Sequence, residues 1–434
     1  MINMRPIYLA FAALFISAAA YSQPKNLRQW AQQDVLQAKG LRDAHVGISI
    51  YDPSTGKYWY QHQDDKFFMP ASNTKIFTLY TGLQLLGDSL PGIRYAENDT
   101  AIFVSGTADP SFLHPDFQYQ PVMDLLSHTN KRIWLQPAAI KNKRFGPGWG
   151  WGDYADYYQP ELNEWPMYGN VAWVKLTGAG YTMTPEFPTE LVYERAPTEA
   201  LADREERENL FILHLRADES ATRSFEVPYI TGNRQQLARR LQDTLRKPVG
   251  VLPSVVVKEN TLLRSIPSDT LFQPMMHRSD NFFAEQILMM AAAQKFDTID
   301  SRKIIQYMLD SSLSDLPHPP SWVDGSGLSR YNLFTPRDFV TVLDKLIKKY
   351  PKERLWPLFS SGGKGTLRAY YQALPGRLYA KTGTLSGCVA LSGYIVTKTG
   401  KTLIFSVLVN NHNSTSTVVR RAVENFLVKV ANAG

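Results

Sequence analysis

The chain has 434 residues, 44% of them hydrophobic and 20% charged, with a formal net charge of +7. That is the composition of a folded protein with room for two or more domains at about 150 residues each. Its Lys and Arg are spread along the chain rather than clustered. This argues against a nucleic-acid partner and suits loose association with an anionic cell envelope.

The N-terminus reads as an export signal. Met1 to Arg5 carries positive charge, Ile7 to Ala20 is apolar, and Ala20-Tyr-Ser22 offers a small-x-small cleavage pattern before Gln23. The apolar run is shorter than the roughly 20 residues that span a bilayer, which disfavours an uncleaved anchor. No cysteine follows it to carry a lipid. Residues 1–22 are therefore expected to be removed, leaving a periplasmic protein.

Asn26 to Gln37 then reads as a helix. His45 to Tyr51 alternates, with Val46, Ile48 and Ile50 on one face, as in a half-buried strand. Asp52 to Gly56 is a turn, and Lys57 to Tyr60 returns as a second strand. Next comes Met69-Pro-Ala-Ser-Asn-Thr-Lys75, the head of an apolar, proline-free segment predicted to be helical as far as Gly87. On a helix Ser72 and Lys75 share a face. A serine near a helix N-terminus with a lysine beside it is the layout of an activated nucleophile. Ser-x-x-Lys also occurs at Ser54-Thr-Gly-Lys57 and Ser361-Gly-Gly-Lys364, both in turn-like stretches. Spacing alone does not single out Ser72.

Residues 88–257 have a different character, with strand-like runs (Ala101–Val104, Leu210–Leu215) among long loops. Arg144 to Tyr158 is rich in Gly and aromatics and reads as a loop, packed on a core or facing a ligand. A helical block follows from Ser268, including Asn281 to Gln294 and Ile304 to Leu309. It leads to a polar loop, Val323 to Arg330, and a helix from Pro336 to Lys349. Two strands, Val389–Val396 and Leu403–Val409, and a helix from Thr417 to Val430 complete the chain. The order predicts a layered α/β (α+β) domain, built from 23–87 and 258–434 and interrupted by an inserted region at 88–257.

Two further motifs have chemistry that fits Ser72. Ser279-Asp-Asn281 precedes an apolar helix, and Lys381-Thr-Gly-Thr384 precedes the strand Val389–Val396. Together with Ser72-x-x-Lys75 they form the S-x-x-K, S-D-N, K-T-G signature of penicillin-binding proteins and class A β-lactamases. Lys75 can take the Ser72 proton if a second cation lowers its pKa, and Lys381 is the candidate cation. Ser279 can relay a proton to the leaving amine, while Asn281 orients Lys75 and a substrate amide. Lys381 and Thr382 can bind a carboxylate. Gly383 permits close backbone approach, so that the Ser72 and Thr384 amides form an oxyanion hole. Lys398-Thr-Gly400 repeats the third motif where a hairpin connection is expected. Gly362 to Thr366 lacks the spacing of a phosphate loop. Cys388, the sole cysteine, reads as a buried small hydrophobe in a strand. The eight histidines show no metal-ligand spacing, so no zinc site is expected.

Beyond these motifs the sequence resembles the penicillin-binding protein 4 family of D-alanyl-D-alanine carboxypeptidase/endopeptidases. Val323-Asp-Gly-Ser-Gly-Leu-Ser-Arg-Tyr-Asn332 is similar to a distinctive stretch of that family, as is Lys381 to Gly387 leading into Leu391-Ser-Gly-Tyr-Ile395. The long gap between Lys75 and Ser279 matches its habit of inserting domains there; β-lactamases have a far shorter gap. Gly106 to Pro110 and Trp151-Gly-Asp153 resemble its inserted region less specifically. The resemblance implies a transpeptidase-like domain with an antiparallel sheet between helices. It also implies a penicillin-sensitive enzyme that removes terminal D-Ala or cleaves D-alanyl cross-links in peptidoglycan through an acyl-enzyme on Ser72. Arg330 would then line the site, or else pin its own loop; Asp153 would reach a diaminopimelate amine, or else satisfy loop amides. The rival readings are a β-lactamase, for which Glu161-Leu-Asn-Glu164 offers a deacylating glutamate, and a non-catalytic peptidoglycan-binding homologue.

Overall fold

The computed structural model describes residues 26–177, 180–194, 202–216, 222–258 and 260–433. The expected export signal lies outside them. The two ends of the chain build one six-stranded sheet, in the order Ser360–Ser361, Leu378–Leu385, Cys388–Val396, Thr402–Asn410, His45–Asp52, Lys57–His62. All its pairings are antiparallel. The Lys398-Thr-Gly400 repeat lies in the turn between Cys388–Val396 and Thr402–Asn410, as its position between two apolar runs predicts.

Helices cover both faces of this sheet. On one side Val46, Ile48, Ile50, Leu391 and Phe405 pack on the N-terminal helix Leu27–Ala31, its π-helical continuation Gln32–Leu36, and the C-terminal helix Ser416–Asn432. On the other side Ala390, Tyr394, Ile404 and Leu408 join the core built by helices Lys75–Leu85, Ser268–His277, Asn281–Phe296, Ser301–Asp310 and Pro336–Lys349. The strand expected to be half-buried is therefore covered on both faces. Gly47 and Ser49, which alternate with the apolar residues, are buried too, because helix Pro336–Lys349 lies over them. That helix starts as its sequence dictates. Thr335 accepts from the Asp338 amide, the Asp338 carboxylate accepts in return from the Thr335 amide, and Pro336 fills the first turn.

Helices Lys75–Leu85 and Asn281–Phe296 are the innermost. Every residue from Lys75 to Leu83 is buried, and so is every residue from Phe282 to Ala293. Such all-round burial explains why both are apolar on every face. The polar groups on these two helices that face each other are thus desolvated.

Between the two helices in sequence, the insertion builds a five-stranded sheet in the order Val249–Val251, Arg132–Leu135, Ala101–Gly106, Ser89–Glu97, Thr261–Pro267, with helices Pro121–His128 and Arg234–Leu245 packed on it. Strand Thr261–Pro267 lies beyond Val257, yet pairs with Ser89–Glu97. Two three-stranded sheets complete the insertion: Thr189–Glu194, Phe211–Arg216, Ala202–Arg204; and Arg223–Pro228, Val171–Thr177, Gly180–Thr184. Among the described residues no helix is long and apolar enough to cross a membrane.

Candidate active site

Ser72 sits in a 3-10 turn, Ala71–Thr74, immediately before helix Lys75–Leu85. The chain enters this turn through Ala71 in the left-handed region (φ 47°), a sparsely populated conformation for a residue with a Cβ. Lys75 is fully buried, and its Nζ donates to Ser72 Oγ (3.0 Å), Asn281 Oδ1 (2.7 Å) and the Ser326 carbonyl (2.7 Å). Burial lowers its pKa to about 8, although Asp324, Glu285 and Asp280 favour the ammonium. Desolvation is the largest cause, and Lys381, the cation expected from the sequence, and Lys75 also repel each other.

The other two motifs meet this group. Asn281 is the first residue of helix Asn281–Phe296, whose N-terminal amide at Phe283 is capped by the Asp280 carboxylate. Its own amide nitrogen donates to the Tyr158 carbonyl. Ser279 adopts a left-handed backbone (φ 66°), and its Oγ accepts from Lys381 Nζ at 2.9 Å. Lys381 is also fully buried, and burial pushes its pKa well below the ordinary value, with further help from Lys75 and Arg420. A second bond runs from its Nζ to the Thr382 carbonyl.

Lys381, Thr382, Gly383 and Thr384 lie on the strand Leu378–Leu385, which forms a hairpin with Cys388–Val396. Among the described residues the short strand Ser360–Ser361 pairs only with Tyr379 and Ala380. The edge from Lys381 to Leu385 is left without a strand partner. Gly383 faces the serine turn; a Cβ there would stand 2.6 Å from the Pro70 carbonyl and 3.1 Å from the Ser72 amide nitrogen. Only glycine allows so close an approach. The Asn73 amide, oriented to satisfy both its ends, donates to the Lys381 carbonyl (2.7 Å) and accepts from Ser392 Oγ (2.7 Å), stitching the turn to the strand.

A cavity of about 790 Å³ opens onto Ser72, Ser279, Asn281 and Thr384, walled by the insertion on one side. Asp153, at the end of the 3-10 turn Trp151–Asp153, lines it, as do Tyr157 and Tyr158 from the same glycine-rich loop. Arg330 also lines it, while its guanidinium donates to the Ser386 carbonyl in the hairpin turn (3.3 Å), so it faces the cavity and pins its loop at once. Glu161 is buried by contrast. It pairs with Arg144 and accepts from the amide and hydroxyl of Thr231, a structural engagement that leaves it out of the cavity wall. Cys388 is buried, and burial pushes its thiol pKa up. Among the described residues no group of three His, Cys, Asp or Glu is placed to hold a metal.

Several residues of this region went unread in the sequence. The Ser326 carbonyl is a partner of Lys75; Arg420, from the C-terminal helix, donates to Thr384 Oγ (2.6 Å). His114, Glu226 and Arg278 line a further part of the cavity. Burial holds Glu226 up to about 7 and His114 down to about 4. Ser326 lies in the stretch 323–332 and Arg278 adjoins Ser279, but Arg420, His114 and Glu226 belong to no short motif. Only Glu285, four residues after Asn281 and so on the same helix face, carried a periodic signal.

This chain is 24% identical over 478 residues to a D-alanyl-D-alanine carboxypeptidase of Actinomadura sp. (strain R39), a match that covers 95% of this chain and 86% of that protein. It is 28% identical over 158 residues to the D-alanyl-D-alanine carboxypeptidase DacB of Haemophilus influenzae, covering 35% of this chain and 33% of that one. Its fold is similar to the crystal structure of penicillin binding protein 4 (dacB) from Haemophilus influenzae, with a TM-score of 0.73 at 19% identity over 94% of this chain and 99% of that chain. The D-Ala-D-Ala carboxypeptidase 3 (S13) family matches residues 28–210 and 234–433. With nearly the whole described chain matched, this protein belongs to the D-Ala-D-Ala carboxypeptidase 3 (S13) family and is a serine-type peptidase.

Proposed function

We propose that this protein is a D-Ala-D-Ala carboxypeptidase and DD-endopeptidase that acts on peptidoglycan stem peptides through an acyl-enzyme on Ser72. It works in the periplasm after loss of residues 1–22. Its substrates are peptides ending in D-Ala-D-Ala or cross-linked through D-Ala, and β-lactams inhibit it. The observation that carries this reading is the set of three partners around Lys75 Nζ. A neutral amine has two hydrogens and one lone pair. Asn281 Oδ1 and the Ser326 carbonyl take the hydrogens, which leaves the lone pair for the Ser72 hydroxyl proton.

The geometry supports the following steps. Lys75 accepts the proton as Ser72 Oγ attacks the D-Ala carbonyl carbon. The developing oxyanion is held by the Ser72 and Thr384 amides, which Gly383 lets come together. As the C–N bond breaks, Ser279 gives its hydroxyl proton to the leaving amine and takes one from Lys381 Nζ, which donates to it. Thr382, Thr384 and Lys381 present donors to the carboxylate of the leaving residue, and the open edge Lys381–Leu385 receives the peptide backbone. Water then hydrolyses the ester by the reverse proton path. Asp153 and Arg330 meet the stem peptide at the cavity wall. The likeness to a Haemophilus influenzae penicillin binding protein 4 structure complexed with a β-lactam supports the inhibitor class.

Labelled penicillin tests the reading. A long-lived adduct on Ser72, with D-alanine released from uncross-linked muropeptides and monomers from cross-linked ones, is expected. Rapid turnover of the penicillin would support a β-lactamase instead, and binding of muropeptides without any product would support a non-catalytic role.

A further inference from the structure

Beneath Lys75 lie two carboxylates that the steps above do not use. Glu285 stands on helix Asn281–Phe296 one turn after Asn281, and Asp324 opens the loop 324–330; each is 2% exposed. Burying one carboxylate is costly and burying two together is worse, unless each is fully hydrogen-bonded. Both are. Glu285 accepts from the Gly325 amide (3.0 Å) and the Ser326 amide (2.7 Å). Asp324 accepts from the Gly327 and Ser329 amides, from Asn332 Nδ2 and from Trp149 Nε1 (3.0 Å), the last reaching across from the insertion.

The consequence is directional. The 325–326 segment is clamped with its N–H groups toward Glu285 and its carbonyls toward the serine helix. Ser326 O meets Lys75 Nζ at 2.7 Å, and Gly325 O meets Thr78 Oγ at 2.7 Å. Gly327 closes the turn at φ 82°, where a Cβ would stand 1.9 Å from the Ala71 carbonyl. A loop this confined cannot re-aim its carbonyl by itself.

We propose that Glu285 and Asp324 are positioning residues for the acylation step: they aim the Ser326 carbonyl at Lys75, and their charge governs how readily Lys75 gives up its proton. The charged group that faces the pair is Lys75 from the serine helix, and Lys75 is faced in turn by Asp280 at the head of the Glu285 helix and by Lys381 from the edge strand. Burial and the neighbouring Asp324 hold Glu285 up to about 7, and burial raises Asp324 as well. Glu285 therefore gains its negative charge just below the pH at which Lys75 loses its proton. This inference rests on the reading of Lys75 as the base toward Ser72.

The test is the pH profile of acylation by labelled penicillin, from pH 5 to 10, on the full mature chain. In Glu285→Gln the loss of negative charge destabilises the ammonium, so the rising limb should move to lower pH by about half a unit to one unit. Glu285→Asp keeps the charge but retracts the clamp. Its limb should stay in place while the rate falls by about tenfold. Trp149→Phe removes one donor from Asp324, pushes that carboxyl toward its neutral form, and should move the limb the same way by a smaller amount. Trp149 is half-buried at the loop surface, so this variant decides the matter if Glu285→Gln does not fold. A limb at the wild-type pH in folded Glu285→Gln, or in Trp149→Phe where the first variant fails to fold, overturns the proposal. Wild-type protein that is not labelled at Ser72 sinks the proposed function instead, which keeps the two failures distinguishable.

Discussion

The two regions of this molecule handle burial differently. In the domain built from the chain ends, the strands Cys388–Val396 and Thr402–Asn410 are covered on both faces, and the two central helices carry their charged groups into the interior. In the insertion, the edge strand Thr189–Glu194 leaves Leu191 and Tyr193 exposed, and the glycine-rich loop leaves Trp151 and Tyr157 exposed. Enclosure is what shifts the pKa of Lys75 and Lys381, which supports placing the proposed bond-breaking chemistry in that region. The insertion has buried cores of its own, but on the cavity side it supplies a wall whose Trp151 and Tyr157 stay exposed. The difference teaches that the proposed reactivity and peptide selectivity are separable here, because the motif residues and the exposed loop that walls the cavity lie in different parts of the fold.

The largest effect should come from the enclosed region. Ser72→Ala should abolish the penicillin adduct and lower peptide hydrolysis by at least about 10³-fold, measured as D-alanine release. Undiminished hydrolysis would end the separation at once. Gly383→Ala should cost about 10²-fold in acylation rate, because its Cβ drives the edge strand away from the Pro70 carbonyl and the Ser72 amide; a variant acylated at the wild-type rate would show that the approach is not needed.

The wild-type pH profile sharpens the same side. The Lys75 pKa is depressed to about 8, so below that value the ammonium dominates and cannot accept a proton. Acylation should rise about tenfold per pH unit up to about 8 and then level, in stopped-flow or quench measurements. A limb near the ordinary lysine value would mean that burial does not tune this group.

Smaller effects are expected from the wall. Asp153→Asn should raise KM by about tenfold for stem peptides that carry a free side-chain amine, with kcat nearly unchanged. An equal change for peptides lacking the amine would assign Asp153 to its loop. Tyr193→Ser, on the exposed edge of the insertion, should alter stability by no more than about 0.5 kcal/mol and leave hydrolysis unchanged. A large loss of either would show that the insertion is coupled to the chemistry more widely than through Trp149 and Tyr158.

Much of this could be read in advance. Helix Pro336–Lys349 carries its own start and stop signals and was predicted at its observed bounds, and the terminal strands and C-terminal helix were placed to within one or two residues. The three motifs named Ser72, Lys75, Ser279, Asn281 and Lys381 to Thr384, which the fold does bring together. Partners that act through a backbone carbonyl, as Ser326 and Tyr158 do, leave no residue-type signal. Arg420 could not be seen either, since it reaches Thr384 from a helix at the far end of the chain.

By itself the sequence determined which groups are the candidates for the chemistry. Local spacing is enough to put a hydroxyl beside an amine on one helical turn, and two further short motifs suffice to name their partners. Only the tertiary structure decided the proton affinity of that amine. Desolvation depends on what surrounds Lys75 on every side, and those surroundings come from a helix, a loop and a strand hundreds of residues apart in the chain. The same packing put Glu285 and Asp324 beneath it, a juxtaposition that neither the helix nor the stretch 323–332 shows by itself.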